Sequence, residues 1–565
     1  MDISGWKTAA ENEALRNQIS DYVKEFVNKE LPRISFCGYR EFIHSGSRKE
    51  SEASYFLVRK QLTALGLYLQ WTKPSREETD YFNELLWSVS NEFSWCLAAH
   101  LPYCGNYLKE DAQKQIDLFA AETAETLSEL LVLHTDMIDP FIQAHIRKQV
   151  KNRVLDPFLD RHWSWETSRN NWCAVCAGSI GITALLLENE KRKQILDKVD
   201  RALEFYIESF GTDGASEEGI GYWAYGFGYF IYYTAIRLEW DEKFKLQDNM
   251  IDTIKKIAEF PAALQIGEDR FIPFSDAVPD TIIPTGLLSY LYYVFGVTPP
   301  FCTKITPFDF EACYRFAHIS RNLWWTDGSI YRFPLTDMVR FFEEKQWLLQ
   351  RKDGCFFAIK GGNNQEEHNH NDVGSFVLAL EGELYLVDLG AGPYTKDYFG
   401  AQRYQYLHTR SYWHNLPIVQ QKEQMQTKHS CDFNILEYTK EKIGVSMELS
   451  MLYQVPALQT FRRTIATDLK KHKVLIEDHF RAAEGIMIEE GLVSKIKPEL
   501  SKEGLIEWRG CKGLLSVAFD PKVLGFKVES EKISNHTHQM EQVYRLGLYT
   551  KASSKDMVIR LEFFY

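Results

Sequence analysis

Hydrophobic residues recur at helical spacing through the first half of the chain. In "KQIDLFAAETAETLSELLVLH", Ile116, Phe119, Ala120, Thr123, Leu127, Leu130 and Leu131 share one face at a period of 3.6. Comparable stretches at 12–29, 54–71, 82–100, 141–157, 171–188, 195–210, 222–239 and 248–264 predict further helices, joined by short polar or Pro/Gly-containing connections. Helix after helix with no strands between predicts pairs stacked as a solenoid or closed into a ring, although no repeat is visible to the eye.

The period changes after residue 325 or so. "CFFAIKGG", "SFVLALEGELYLVDLG", "LPIVQQ", "ILEYTK", "IGVSMEL", "RRTIATD", "KVLIEDHF", "LLSVAF" and "DMVIRLEFFY" are short β-prone runs divided by polar turns. Many strands at this spacing predict an antiparallel sandwich, with "TDGSIYRFPLTD" as the connection. The expected architecture is a helical domain over 1–325 followed by a β-sandwich over 326–565, in keeping with a chain too long for one ordinary core.

Composition narrows the partners. A net charge of −13 with no Lys/Arg block argues against nucleic acid, and a polyanionic substrate would need cationic groups concentrated in a cleft. Aromatic residues make up 14% of the chain, rings that sugar-binding clefts use but that any large core uses equally. "MDISGWKTAAENEALRNQ" lacks a basic start followed by an apolar core, and no apolar stretch reaches the roughly 18 residues of a membrane span. Ten cysteines are too sparse for a disulfide scaffold. A reduced, cytoplasmic protein without a membrane or nucleic-acid partner is expected, and a homo-oligomer is compatible with everything read so far. Cys173 and Cys176 form a C-x-x-C; without a βαβ pattern or a second such pair, they read as two small buried residues on a helix rather than a redox or metal pair.

The densest chemistry lies in "HNHND", His368 to Asp372, on the threshold of a strand. On an extended backbone residues i and i+2 point the same way, so His368 and His370 can serve one cavity. Downstream, "YLVDLGAGPYT" ends a strand in Asp388 and "TRSYWHNLPIV" begins the next with His414. His370, Asp388 and His414 form a two-His, one-carboxylate set that suits zinc, with a fourth place for water or another ligand. A two-residue turn at Glu381-Gly382 would set Asp388 opposite Ser375, so the chain before Gly374 must bend to bring His370 over. The competing reading is a loop knitted by side-chain hydrogen bonds. In the helical half, Asn170 and Asn171 open a small-residue helix, where Asn commonly acts as a cap. After a Gly-rich turn, Tyr222, Tyr225 and Tyr229 fall on one helical face, in the core or at a cleft.

Together, "NEFSWCLAAH" with "IDLFAAETA", "NNWCAVCAGSIG", "DGASEEGIGYWAYG", "HNHNDVGSFVLALEGELYLVDLG" and "RSYWHNLPIV" resemble the heparinase II/III family of polysaccharide lyases. The resemblance implies an incomplete (α/α) toroid followed by an antiparallel β-sandwich. It also implies cleavage of uronic-acid-containing polysaccharides or oligosaccharides by β-elimination, with glycosaminoglycans as the leading substrates and oligoalginate as the runner-up. Carried over by motif, Asn171 neutralises the uronate carboxylate with Asn170 nearby. Tyr225, or Tyr222 one turn away, acts as acid and base, and His368 is a partner base or carboxylate-binding group. His370, Asp388 and His414 hold one structural divalent metal, zinc by ligand type. Asn91, Glu92, Trp95, His100, Tyr394 and Arg410 are further candidates for gripping sugar rings and acidic groups, Arg410 by its bidentate fork. One departure stands out: several branches of the family follow the toroid Asn with His, where this chain has Trp172, so that either Tyr225 and His368 suffice or His100 or His162 substitutes. A zinc hydrolase, in which metal-bound water attacks, and a non-catalytic glycan-binding protein are the rival classes.

Overall fold

The computed structural model describes residues 12–565 apart from 105–106, 110, 189, 367, 395–396, 399 and 401. Two compact units emerge. One takes everything up to Phe210 together with Tyr222–Lys255 and Ile282–Arg332; the other takes Gly211–Gly221, Lys256–Thr281 and Phe333–Tyr565. The last switch falls inside "TDGSIYRFPLTD", where the period changes. The two earlier insertions, 211–221 and 256–281, belong to the β-rich unit, unlike the undivided 1–325 expected from periodicity.

In the helical unit, Leu118–Leu133 and Asn171–Leu187 are buried almost all round. Asp117 starts the first by accepting from the Ala120 amide at 2.7 Å, and Asn170 starts the second by accepting from the Trp172 amide at 3.2 Å. Charges taken into this core are paired: Arg321 and Glu129, both fully buried, meet at 2.7 Å. The helix expected over 82–100 ends at Ser90, because Trp95 folds back to donate its indole N–H to the Val89 carbonyl at 2.8 Å. The segment expected to be helical over 222–239 contains a π-turn at Trp223–Phe227 between Ile220–Tyr222 and Gly228–Trp240. A short strand pair also interrupts the helical unit, at Tyr103–Cys104 with Tyr107–Leu108, whereas the pair Gln265–Gly267 with Arg270–Phe271 lies in the 256–281 insertion of the β-rich unit. Among the described residues no helix is long and apolar enough to cross a membrane.

The β-rich unit is antiparallel throughout its named sheets. A five-stranded meander runs in chain order through Met338–Phe342, Trp347–Lys352, Cys355–Lys360, Phe376–Leu380 and Glu383–Leu386. An eight-stranded sheet is centred on Leu458–Asp468, Lys473–Ile486 and Ser554–Phe564, and a four-stranded sheet on Ile488–Ser494 and Met540–Thr550. The three share one apolar core: Phe357, Phe376 and Leu386 from the meander meet Val445, Phe461 and Phe563 from the large sheet and Ile488 and Leu546 from the small one. The final hairpin of the meander turns through Glu381 and Gly382, at φ 47° and 79°, as a primed two-residue turn requires. Its register runs Leu380 to Glu383 and Ala379 to Leu384, then slips to Leu378 with Leu386. That bulge places Asp388, by continuation, on the level of Phe376 rather than Ser375.

Candidate functional site

The β-rich unit gathers the residues of "HNHND" around buried carboxylates. His370, Asp372, Asp388 and His414 each offer a donor atom, and these lie within 4.8 Å of one another. His370 Nδ1 is 3.2 Å from His414 Nε2 and 3.5 Å from Asp388 Oδ1, which is itself 3.6 Å from His414 Nε2. Local structure brings them there. Gly374, at φ 89°, turns the chain so that its amide still bonds the Lys360 carbonyl at 2.7 Å while His370 swings over the end of the meander. Asn415 ties three segments with one amide: it donates to the Phe376 and Val387 carbonyls at 2.6 and 3.2 Å and accepts from the Val493 amide at 2.7 Å. Arg463, buried with Asp478 and Glu490, donates to the carbonyls of Gly374 and Asn415, both at 2.9 Å, and so fixes the His370 and His414 segments to each other.

Burial pushes the Asp388 carboxyl up, but the imidazoles of His414 and His370 outweigh it and hold the group below the usual carboxylate range. Asp388 Oδ2 and Asp372 Oδ1 are buried without a hydrogen-bond partner. Two orphaned carboxylate oxygens beside two imidazoles are what a divalent cation with N/O preference satisfies, so the donor set fits zinc. Asp372 joins the three ligands expected from sequence; its other oxygen is 2.9 Å from the buried ammonium of Lys360.

A second carboxylate, Asp276, organises the flank of this cluster. It accepts from His368 Nδ1 at 2.9 Å, Tyr398 Oη at 2.6 Å and Arg403 Nη2 at 2.9 Å, and lies 3.3 Å from His370 Nε2. His368 Nε2 is 3.5 Å from Glu218. Burial alone would lower the His368 pKa; the Asp276 hydrogen bond and the charge of Glu218 outweigh it and raise it. His368 and His370 do share one carboxylate, yet not through an extended backbone. His368 sits at φ 55°, a left-handed conformation uncommon outside glycine and frequent at sites that aim a side chain.

The helical unit holds a separate constellation. Tyr225, within the π-turn, donates its hydroxyl to Glu122 Oε1 at 2.8 Å. Arg315 Nε donates to the same oxygen at 2.8 Å, and the guanidinium lies 3.9 Å from the Tyr225 ring centroid. Burial raises the Tyr225 pKa well above 10, with the Arg315 charge pulling the other way; burial likewise raises Glu122 against the same guanidinium. Asn171 is buried one residue inside its helix, and its Cα lies 3.2 Å from where a Cβ on Gly226 would stand. The structure therefore brings Asn171 beside the π-turn that carries Tyr225. Tyr229 packs edge-on to Tyr225 at 5.7 Å, and Tyr222 is half-buried at the start of the turn.

Several weaker candidates are accounted for otherwise. Asn170 is the helix cap, its oxygen engaged by Ser168 and the Trp172 amide. Asn91 is exposed and bonds the Trp87 carbonyl, ending its helix. Glu92 is spent on a buried bidentate pair with Arg59 at 2.7 and 2.8 Å, and Trp95, 1% exposed, is core rather than a stacking surface. His100 bonds the buried Asp117 at 2.7 Å with its ring 5.0 Å from Trp172, the position where an imidazole was missing from the expected pattern. His162 is exposed, 3.3 Å from Glu166. Tyr394 packs on His536 at 4.5 Å, and Arg410 pairs with Glu423. Cys173 and Cys176 are buried free thiols pushed up by burial, Cys173 to about 12, which makes them inert packing residues. Sequence reasoning missed Asp276, Glu122 and Arg315. Glu122 is one of three glutamates in its helix, with Glu125 and Glu129, and nothing in the sequence sets it apart from them.

Residues 341–535 match the family described as heparinase II/III-like, C-terminal. The chain carries a domain of that description over about 195 residues of its β-rich part, those that follow Arg340. Its fold extends the likeness over the full length. The heparan sulfate lyase HepC from Pedobacter heparinus superposes with a TM-score of 0.65 at 13% identity, covering 100% of this chain and 85% of that one. A heparinase III structure gives 0.66 at 13%, covering 100% and 86%. The chondroitin AC lyase from Streptomyces coelicolor A3 gives 0.54 at 10%, covering 98% and 80%. At these identities the structures establish a shared fold, an (α/α) helical region followed by antiparallel β-sheets. No curated protein sequence matches the chain significantly.

Proposed function

We propose that this protein is a polysaccharide lyase that cleaves uronic-acid-containing glycans, of glycosaminoglycan type, by β-elimination. The observation that carries the reading is the Tyr225–Glu122–Arg315 arrangement, in a chain with a heparinase II/III-like domain. The reaction removes a C5 proton that is too weakly acidic until the neighbouring carboxylate is neutralised, and then expels the C4 oxygen. Asn171 serves the first need as an amide donor to the carboxylate. Tyr225 serves the second. Its oxygen takes the C5 proton while its own proton passes to Glu122, whose raised pKa makes it a better acceptor. The C4–O bond breaks, the C4=C5 bond forms, and the proton returns through the phenol to the departing oxygen. Arg315, over the ring, stabilises the negative charge that passes along this pair. His368, whose pKa the Asp276 hydrogen bond and the Glu218 charge raise against the effect of burial, is assigned as a carboxylate-binding group.

His370, Asp388 and His414, with Asp372, would hold one divalent metal, zinc by donor type; when bound it supplies a fixed positive charge that ties the strand ends together. The deciding experiment presents hyaluronan, chondroitin, heparan and alginate and follows ultraviolet absorbance. Conjugated unsaturated uronate is expected from at least one of the first three. Cleavage that yields only saturated ends would replace elimination by hydrolysis.

A further inference from the structure

Asp276 touches both histidines of the "HNHND" segment, one with each oxygen. Oδ2 accepts from His368 Nδ1 and from Arg403 Nη2, both at 2.9 Å, while Oδ1 accepts from Tyr398 Oη at 2.6 Å and lies 3.3 Å from His370 Nε2. The carboxylate is fully buried and is delivered by the 256–281 insertion, directly after Ser275 at φ 63°. We propose that Asp276 is a positioning residue that couples the metal donors to His368, so that the imidazole assigned to the uronate carboxylate is held by the same group that orients His370. What His368 binds rests on the lyase reading; the coupling rests on the geometry alone.

The partners fix which nitrogen does what. A carboxylate paired with a guanidinium only accepts, so His368 presents an N–H at Nδ1 and His370 an N–H at Nε2. On the neighbouring ring, His414 Nδ1 donates to the Arg410 carbonyl at 3.0 Å. That leaves His370 Nδ1 and His414 Nε2, 3.2 Å apart and beside Asp388, as the nitrogens that face a cation. The partner of the far nitrogen turns a metal-ligating imidazole and raises its basicity. Here that partner is shared with His368.

The clamp is also stiff. Arg403 Nη2 donates to the carbonyl of Asn369, the residue between the two histidines, at 2.9 Å, and Tyr404 Oη bonds the Asn369 side chain at 2.9 Å. One guanidinium thus pins both the carboxylate and the backbone that carries the rings, and a shift of Asp276 reaches both. His368 Nε2 points away from Asp276, 3.5 Å from Glu218, on a ring that keeps 16% exposure where His370 has none.

Zinc affinity, measured by chelator competition on the full chain, tests the coupling without any glycan. Asp276→Asn should weaken it by about 10–100-fold. His368→Ala removes no metal donor, yet it should change zinc affinity by about threefold or more, and should change nothing once Asp276→Asn is present. Unchanged affinity in His368→Ala, or the same effect in both backgrounds, overturns the proposal. His368→Ala leaves Asp276 paired with Arg403 and Tyr398, so this single variant decides the matter if Asp276→Asn does not fold. Where elimination is observed, Asp276→Asn held at saturating zinc should raise KM about tenfold with a smaller change in kcat. Full rescue of KM by zinc would confine Asp276 to metal binding and also overturns the proposal. If no glycan is cleaved, the lyase reading falls and the zinc affinities alone decide the coupling.

Discussion

Replacing Tyr225 with phenylalanine deletes one oxygen and leaves the ring beneath Arg315. Glu122 Oε1 loses a donor at 2.8 Å but keeps Arg315 Nε at 2.8 Å, so no carboxylate is stranded. The stability cost should be that of one ordinary hydrogen bond, about 1 kcal/mol. If the phenol carries the proton, the rate loss is of another order. General acid–base catalysis is worth about 10²–10⁴-fold, or roughly 2.7–5.4 kcal/mol of barrier. Initial rates by ultraviolet absorbance, thermal midpoints and glycan binding, measured on one preparation, separate the two. We expect turnover to fall at least a hundredfold, with binding retained and the midpoint nearly unmoved. Tyr222→Phe serves as the control and should keep most activity. Turnover of Tyr225→Phe within threefold of wild type would refute the assignment, and a collapse in Tyr222→Phe instead would move the role one turn back.

Other predictions concern stability. Dialysis against a chelator should lower the thermal midpoint, since a cation held at a hundred times its Kd stabilises by about 2.7 kcal/mol; no bound metal by elemental analysis and no shift would remove the metal assignment. Arg463→Met strands the Asp478 carboxylate and the carbonyls of Gly374 and Asn415 in the β core, and should cost about 3–5 kcal/mol in denaturant unfolding together with metal content; a loss under 1 kcal/mol contradicts the clamp. His134 and His318 are buried in the helical unit with pKa values lowered chiefly by burial. The unfolded chain takes up their protons near pH 6.5 and the folded chain does not, so stability is full above about 6.5 and falls below it, by up to about 1.4 kcal/mol per pH unit for each. His318→Gln should flatten unfolding midpoints measured between pH 7.5 and 5.5, and an unchanged slope speaks against His318.

What the sequence discloses follows from how local each feature is. Helical and strand periods are written within ten or twenty residues, and most of the expected elements appear, the helix over 82–100 stopping short at Ser90 and a short strand pair breaking the helical unit. His370, Asp388 and His414 were legible because each stands at a strand end within one continuous stretch of the β half. Asp276 was not, since it reaches His368 from 92 residues away out of a segment that reads as helical connection. Arg315 is 193 residues from Glu122, and nothing local marks either as a partner of Tyr225. The bulge that shifts Asp388 by one register position leaves no compositional signal at all. Asp372 stands inside the most conspicuous motif, yet its pairing with Lys360 exists only in three dimensions.

The π-turn at Trp223–Phe227 bears on how this chain tolerates change. A wider turn is in effect one surplus residue held inside a helix, and each α-helical residue advances the azimuth by about 100°. Excising a single position there would yield a more regular and intrinsically easier helix, yet it would swing the aromatic hydroxyl about a quarter-turn from its carboxylate. Shortening by one codon should thus be harsher to turnover than to folding, and a library of such deletions would map how tightly helical phase is held in this segment.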